Sequence, residues 1–463
     1  MKGARGSGQR SGNDLVAYLL PIFIATLFLA GGASRADVVG QVIVRAASWS
    51  IIIALLVGNR MNIQWGRSAV PRLMALTIGV VALQLIPLPP AMWAALPGRS
   101  MFLDAATIAG QPQPWRPLTL SPGLTFNALG SLIVPVATML LFYATRARAA
   151  GLSLIALATA TLLAGLWGAL QFAGASLGNP FLNDVPGMVS GPFANRNHLA
   201  LFLAIGCVVW PVSAMYLRAR PAWWAVVYVV NMLFLIVIVA TGSRAGIALA
   251  VAGYMAAAWL SRRYVGAILS RLRKKLRVLI AVAAVVLVAV LVLTSLQLGR
   301  AVAFDRLLSL GSAEDLRFRA LPTVWAMTIS YFPVGIGFGA FDPAFRIWEP
   351  NELLQLPYFN HAHNDLIEIL LEGGILTALI GAGVIAWAAR ACARAIRLPP
   401  SEERVLAGAG AAILAMVLMA SIFDYPGRTP LIMATIMIVA LWLDAPASST
   451  AASSREPSRP LKG

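Results

Sequence analysis

The 463-residue chain is 59% hydrophobic and only 12% charged, with a formal net charge of +18 and a mean hydropathy of +0.79. Soluble domains are about half apolar and about a quarter charged, so a soluble globular enzyme, a disordered chain and a coiled coil all match this composition poorly. The basic surplus would point to nucleic acid in a soluble protein, but here its meaning depends on where the apolar segments place it.

Twelve apolar runs are predicted as spans, at 15–33, 38–58, 70–88, 127–145, 150–174, 197–217, 222–241, 243–260, 278–298, 365–389, 405–423 and 429–446. Each is near the length of about 20 residues that crosses about 30 Å of hydrocarbon. The first follows Lys2, Arg5 and Arg10. It exceeds the apolar stretch of about 7–15 residues in a signal peptide, so it reads as a retained anchor. Arg45 lies inside the second span, and the seventh and eighth are separated only by a tight turn at Gly242. Three connecting segments are long: 89–126, rich in Pro and Trp, then 175–196, then 299–364 with Trp325 and Trp348. The Ser/Ala/Pro-rich end predicts a disordered cytoplasmic tail at 447–463.

With the N-terminus inside, the inside segments hold 24 of the 36 basic residues but 5 of the 18 acids. This is the positive-inside pattern. It predicts that both termini are cytoplasmic and sets the basic charge against the anionic leaflet, which disposes of nucleic acid as a partner. The expected fold is an all-α polytopic membrane protein of about 12 transmembrane helices, with one large periplasmic loop at 299–364 containing short helices.

The chain has two cysteines, Cys207 and Cys392, and three histidines, His198, His361 and His363. The cysteines form no disulfide or metal pattern, and any imidazole chemistry must use one of three side chains. Ionisable residues at membrane depth are costly and tend to mark function, and the polar clusters gather on the outer side. Arg244 stands in Gly242-Ser243-Arg244-Ala245-Gly246 at the start of a span. It is either an anion ligand beside free helix N–H groups or a snorkelling residue at a helix end. Asp315-Leu316-Arg317-Phe318-Arg319 is either a solvated ion-pair patch or a second guanidinium clamp. Tyr358-Phe359-Asn360-His361-Ala362-His363-Asn364-Asp365 opens an apolar helix. Its histidines suit general base work, an i, i+2 metal pair, or a helix cap. Asn195-Arg196-Asn197-His198 opens the sixth span, and Phe423-Asp424-Tyr425-Pro426-Gly427-Arg428 forms an outer turn with an expected Asp424–Arg428 pairing. There is no Walker loop, dinucleotide fingerprint, HExxH or serine elbow. An enzyme of this shape needs a substrate that arrives activated.

These motifs resemble those of the O-antigen ligase / O-antigen polymerase superfamily of bacterial inner membranes. The strongest is His363-Asn364, nine residues, Gly374, two residues, Thr377. Gly-Ser-Arg-Ala-Gly at 242–246, the Arg–Trp–Gly-x-Gly run at 317–341, Asn195–His198 and the Asp-Tyr-Pro turn at 424–426 add to it, so the likeness covers about 190–430. It divides the chain into N-terminal membrane helices at 1–190, a ligase-like membrane domain at 191–446 that includes loop 299–364, and the tail at 447–463.

The resemblance implies a metal-independent glycosyltransferase with no cofactor, its active site at the periplasmic face of the inner membrane. Its donor would be a glycan on undecaprenyl diphosphate. Its acceptor would be a hydroxyl of lipid A-core or of a growing polysaccharide, and its other partners membrane lipids. His363 would be the base, with Arg244 and Arg317 on the diphosphate. Arg319, His361, Asn364 and Arg196 would contact substrate. The Arg–Trp spacing departs from the family pattern, which leaves Arg317 and Arg319 as alternative clamps. A ligase is expected first. The alternatives are an O-antigen or exopolysaccharide polymerase, an O-linked protein glycosylase, a twelve-span transporter, or a passive scaffold of an assembly complex.

Overall fold

The computed structural model describes residues 5–61, 68–145, 148–183, 185–270, 312–354 and 359–453. The described chain is built of helices: α1 (Arg5–Ala30), α2 (Val39–Val57), α3 (Val70–Leu83), α4 (Pro90–Ala94), α5 (Ser100–Ile108), α6 (Pro122–Ser131), α7 (Ile133–Thr145), α8 (Ala149–Phe172), α9 (Arg196–Tyr216), α10 (Pro221–Ala240), α11 (Arg244–Ser270), α12 (Ser312–Tyr331), α13 (Phe341–Trp348), α14 (Asp365–Arg397), α15 (Glu402–Ala420) and α16 (Pro430–Ser453). Two-residue strands, Pro87–Leu88 and Arg116–Pro117, pair antiparallel.

Eight helical stretches among the described residues are long and apolar enough to cross a membrane, and three shorter apolar helices accompany them. Eleven of the twelve expected spans coincide with helices. The span expected at 278–298 lies outside the described residues. Two of three differences have local causes. The third span stops at Leu83, giving about 21 Å of rise for its 14 residues; three prolines, Pro87, Pro89 and Pro90, follow at once. The fourth is broken between α6 and α7 at Leu132, because Pro135 has no N–H to donate one turn back. At the C-terminus, α16 continues to Ser453, into the tail expected to lack structure.

α9 is the hub. It is apolar all round, and 89% of its membrane-length window is buried, the behaviour of a helix enclosed on every side. It packs against α8, α10, α11 and α15. The large core that results joins Phe202, Phe234, Ile413 and Trp442. A smaller core unites α12 and α13 with the start of α14 around Met327, Phe341, Phe345 and Leu371. The region expected as a loop therefore contains a 20-residue helix, α12, as well as short ones.

α14 is interrupted at Gly374, whose backbone (φ 58°, ψ −145°) is non-helical. An added Cβ would lie 2.1 Å from the Pro333 carbonyl oxygen, so only glycine fits. The groups freed by the break find partners nearby. Ile375 N donates to Pro333 O (2.8 Å), Ile336 N to Leu371 O (3.0 Å) and Gly337 N to Glu372 O (2.9 Å). The Thr377 hydroxyl lies within hydrogen-bond distance of Gly374 O (2.9 Å) and Ile369 O (3.1 Å). A broken helix in apolar surroundings requires this kind of repair. It docks the Pro333–Gly339 segment onto α14 and so fixes where α12 stands.

Segment 84–121 is anchored to the same place. Arg99, 1% exposed, sits between the rings of Trp93 and Tyr331 at 5.2 and 5.7 Å. It donates to Leu118 O and Gly335 O. Burial pulls its guanidinium down to about 10, so it stays protonated at neutral pH.

Candidate active site

Three helices begin at one end of the bundle, within reach of a single cavity. Asn195 caps α9 through the Asn197 amide (2.9 Å). The Ser243 hydroxyl accepts from Gly246 N (3.0 Å) at the start of α11, and Asn364 accepts from Leu366 N and Ile367 N at the start of α14. Helix N-termini carry partial positive charge and unpaired N–H groups. The cavity, about 350 Å³, has polar walls of Asn197, Arg244, Arg317, His363 and Asn364. Its apolar wall comes from Phe318, Leu321, Ile422 and Phe423. Residues separated by up to 226 positions in the chain thus line one space that sets two guanidinium groups against a larger hydrocarbon wall.

His363 occupies the left-handed backbone region (φ 51°), unusual for a residue other than glycine and of the sort that clusters at functional sites. Its Nδ1 lies 3.3 Å from Asp424 Oδ1. With the N–H on Nδ1, that group donates a hydrogen bond to the carboxylate and Nε2 is left as the basic nitrogen. Asp424 also accepts from the side-chain amides of Asn195 (2.9 Å) and Asn197 (2.8 Å) and from Tyr425 N (3.0 Å). Burial alone would raise the Asp424 carboxyl. The hydrogen bond with His363 and the positive field of the histidines and Arg317 outweigh burial and hold it well below the usual carboxylate range. Burial lowers His363 below its ordinary value, opposed by the Asp424 bond and reinforced by nearby Arg317. The pair at neutral pH is a neutral imidazole on an ionised carboxylate.

All three histidines face the ring of Tyr425, with centroids at 4.2 Å for His361, 5.0 Å for His363 and 5.5 Å for His198. Burial beside Asp424 pushes the tyrosine phenol above its usual range. His198 is buried and bonded through Nδ1 to the Thr429 hydroxyl (3.0 Å).

Behind the cavity lies a buried charge cluster. Asp365, Glu368 and Glu372 follow one another at helical spacing on α14, and all three meet Arg428 at 3.1, 3.1 and 2.9 Å. The Arg428 guanidinium would be lowered by burial, but the three carboxylates hold it well above its usual range. Glu368 also takes His361 Nδ1 (2.7 Å) and Ala362 N (2.7 Å). The Asp424–Arg428 pairing expected within the outer turn is therefore replaced: Asp424 serves His363 and Arg428 serves α14. Adjacency in the turn suggested the pairing, but the 3₁₀ turn at Pro426–Arg428 aims the two side chains to different partners.

The expected site residues divide. His363, Arg244, Arg317 and Asn364 line the cavity. His361 is engaged with Glu368. Arg196 is half-buried in the first turn of α9 and Arg319 is exposed on α12, and neither is among the lining residues. Tyr358 and the side chain of Asp315 lie outside the described residues. Gly246 serves helix packing: an added Cβ would lie 2.4 Å from Ala200 Cβ. The partners of Asp424 and Arg428 were not foreseen. The one available signal was polar residues at helical spacing (365, 368, 372) on an otherwise apolar span.

Among curated proteins no match to the chain is found. Residues 229–382 match the family model described as O-Antigen ligase. That segment runs from α10 through Arg244, Arg317 and His363 to beyond the Gly374 break, so the likeness to O-antigen ligases covers the residues of the cavity on α11, on α12 and at the start of α14.

Proposed function

We propose that the chain is a glycosyltransferase of surface polysaccharide synthesis, moving a saccharide from undecaprenyl diphosphate to an acceptor hydroxyl at the periplasmic face of the inner membrane. The family of residues 229–382 implies a glycosyltransferase-type enzyme. The observation that carries the reading is the shared cavity of His363, Arg244 and Arg317, with His363 oriented by Asp424.

His363 Nε2 takes the proton of the acceptor hydroxyl as its oxygen bonds to the anomeric carbon. The bond from that carbon to the diphosphate oxygen breaks, and the lipid diphosphate departs with the electron pair. Arg244, Arg317 and the three helix N-termini stabilise the charge that develops on it, the logic of an oxyanion hole. Asp424 keeps the imidazole in the right tautomer and stabilises it once protonated. The apolar wall at Phe318, Leu321, Ile422 and Phe423 suits the polyprenyl chain.

The test is transfer from a defined undecaprenyl diphosphate glycan in reconstituted membranes. His363→Ala abolishes transfer while the protein still folds; full activity in that variant would falsify the assignment of the base. Presenting lipid A-core and the growing glycan side by side as acceptors separates ligase from polymerase.

A further inference from the structure

The helices that meet at the histidine-lined cavity traverse the bundle and form a second cavity at their opposite ends, about 600 Å³ in volume. It lies between the last turn of α9, the far half of α11, the last turns of α14 and the first half of α15. On α11, Arg244 lines the first cavity and Arg262 the second. The 18 helical steps from one to the other rise about 27 Å, close to the roughly 30 Å of a hydrocarbon core. The separation of the two cavities along α11 thus matches the distance from one headgroup level to the other.

The rim of the second cavity is basic. Arg218, Arg262, Arg263 and Arg404 face one acid, Glu402, which is bonded to Arg218 at 3.1 Å. That leaves a local surplus of three positive charges. Arg262 is held over the Trp259 ring, 3.8 Å from its centroid. Arg404 is held by Leu398 O (2.8 Å), and Arg263 has no ion-pair partner among the described residues. Below the rim the wall is apolar, with Met215, Leu260, Ile396, Val405 and Ala411. A free inorganic anion would use the rim and leave that wall bare. An amphiphile with an anionic head covers both.

We propose that this cavity binds an anionic phospholipid, its phosphodiester among the arginines and an acyl chain along the Leu260–Val405 wall. A net-neutral headgroup leaves the surplus charge uncompensated, so the site selects for anionic lipid. The proposal rests on the fold and is independent of the transferase reading.

The test uses the full chain in nanodiscs of phosphatidylcholine with a minority of phosphatidylglycerol, followed by native mass spectrometry of retained lipid. The expected result is at least a tenfold preference for phosphatidylglycerol, cut about tenfold by Arg262→Gln/Arg263→Gln. Arg397→Gln, at the same end but outside the lining, leaves the preference unchanged. Ala411→Phe, which fills the acyl wall, also reduces retention, and thermal melting checks that each variant is folded. No preference in the native protein, or equal loss in Arg397→Gln, overturns the proposal. Displacement of the lipid by millimolar inorganic phosphate would reassign the rim to free phosphate and overturn it too.

Discussion

At His363 two opposing influences meet. Burial lowers its proton affinity, and the bond to Asp424 raises it, with burial the larger. The imidazole is then neutral at pH 7, ready to accept a proton, and transfer should fall only as pH drops through a value below the ordinary 6.5. Asp424→Asn removes the carboxylate that supports the protonated imidazole. The expected effects are a kcat lower by about 10²–10⁴-fold, the range for an oriented base, with KM little changed, and an acid limb of the pH–rate profile moved further down. A variant whose acid limb stays in place would mean that Asp424 holds only the loop. Of this pair, His363 was legible in the sequence as a polar residue before an apolar helix. Asp424 was visible but assigned to Arg428, because neighbours in a turn are the default partners when the third dimension is missing.

At the scale of elements, α14 carries two devices with measurable cost. Gly374→Ala places a Cβ against the Pro333 carbonyl in a backbone region that costs about 1–3 kcal/mol for other residues. A melting midpoint several degrees lower is expected, with loss of activity as α12 shifts. An unchanged midpoint would show that the break can straighten. Arg428→Gln leaves three carboxylates, exposed by 4% or less, without their cation. Removing one partner of a buried pair costs about 3–5 kcal/mol. The exposed Arg218–Glu402 pair, with Arg218 83% exposed, should cost under about 1 kcal/mol when Arg218→Gln breaks it. Comparable melting shifts for the two variants would contradict the buried cluster. The motif spacing from His363 to Thr377 was readable as a pattern. Its physical content, a helix break repaired by a distant loop, was not.

For the molecule as a whole, the two cavities define two ends. Single cysteines at 317 and 363, in a background lacking Cys207 and Cys392, should react with a membrane-impermeant maleimide from the periplasm, and one at 404 only from the cytosol. Labelling of 363 and 404 from the same side would end the proposed orientation.

Local physics determined the helices: runs of apolar side chains at membrane length specify spans, and prolines and polar caps mark their ends, wherever the rest of the chain lies. The candidate chemistry was equally exposed, because so few ionisable groups are scattered through so much hydrocarbon. Which of those groups meet was decided only by docking. Asp424 reaches His363 across 61 residues and Asn195 across 229, and such contacts depend on the depth and rotation at which helices pack. Those are set by side-chain shape across many interfaces, which no single stretch of sequence contains.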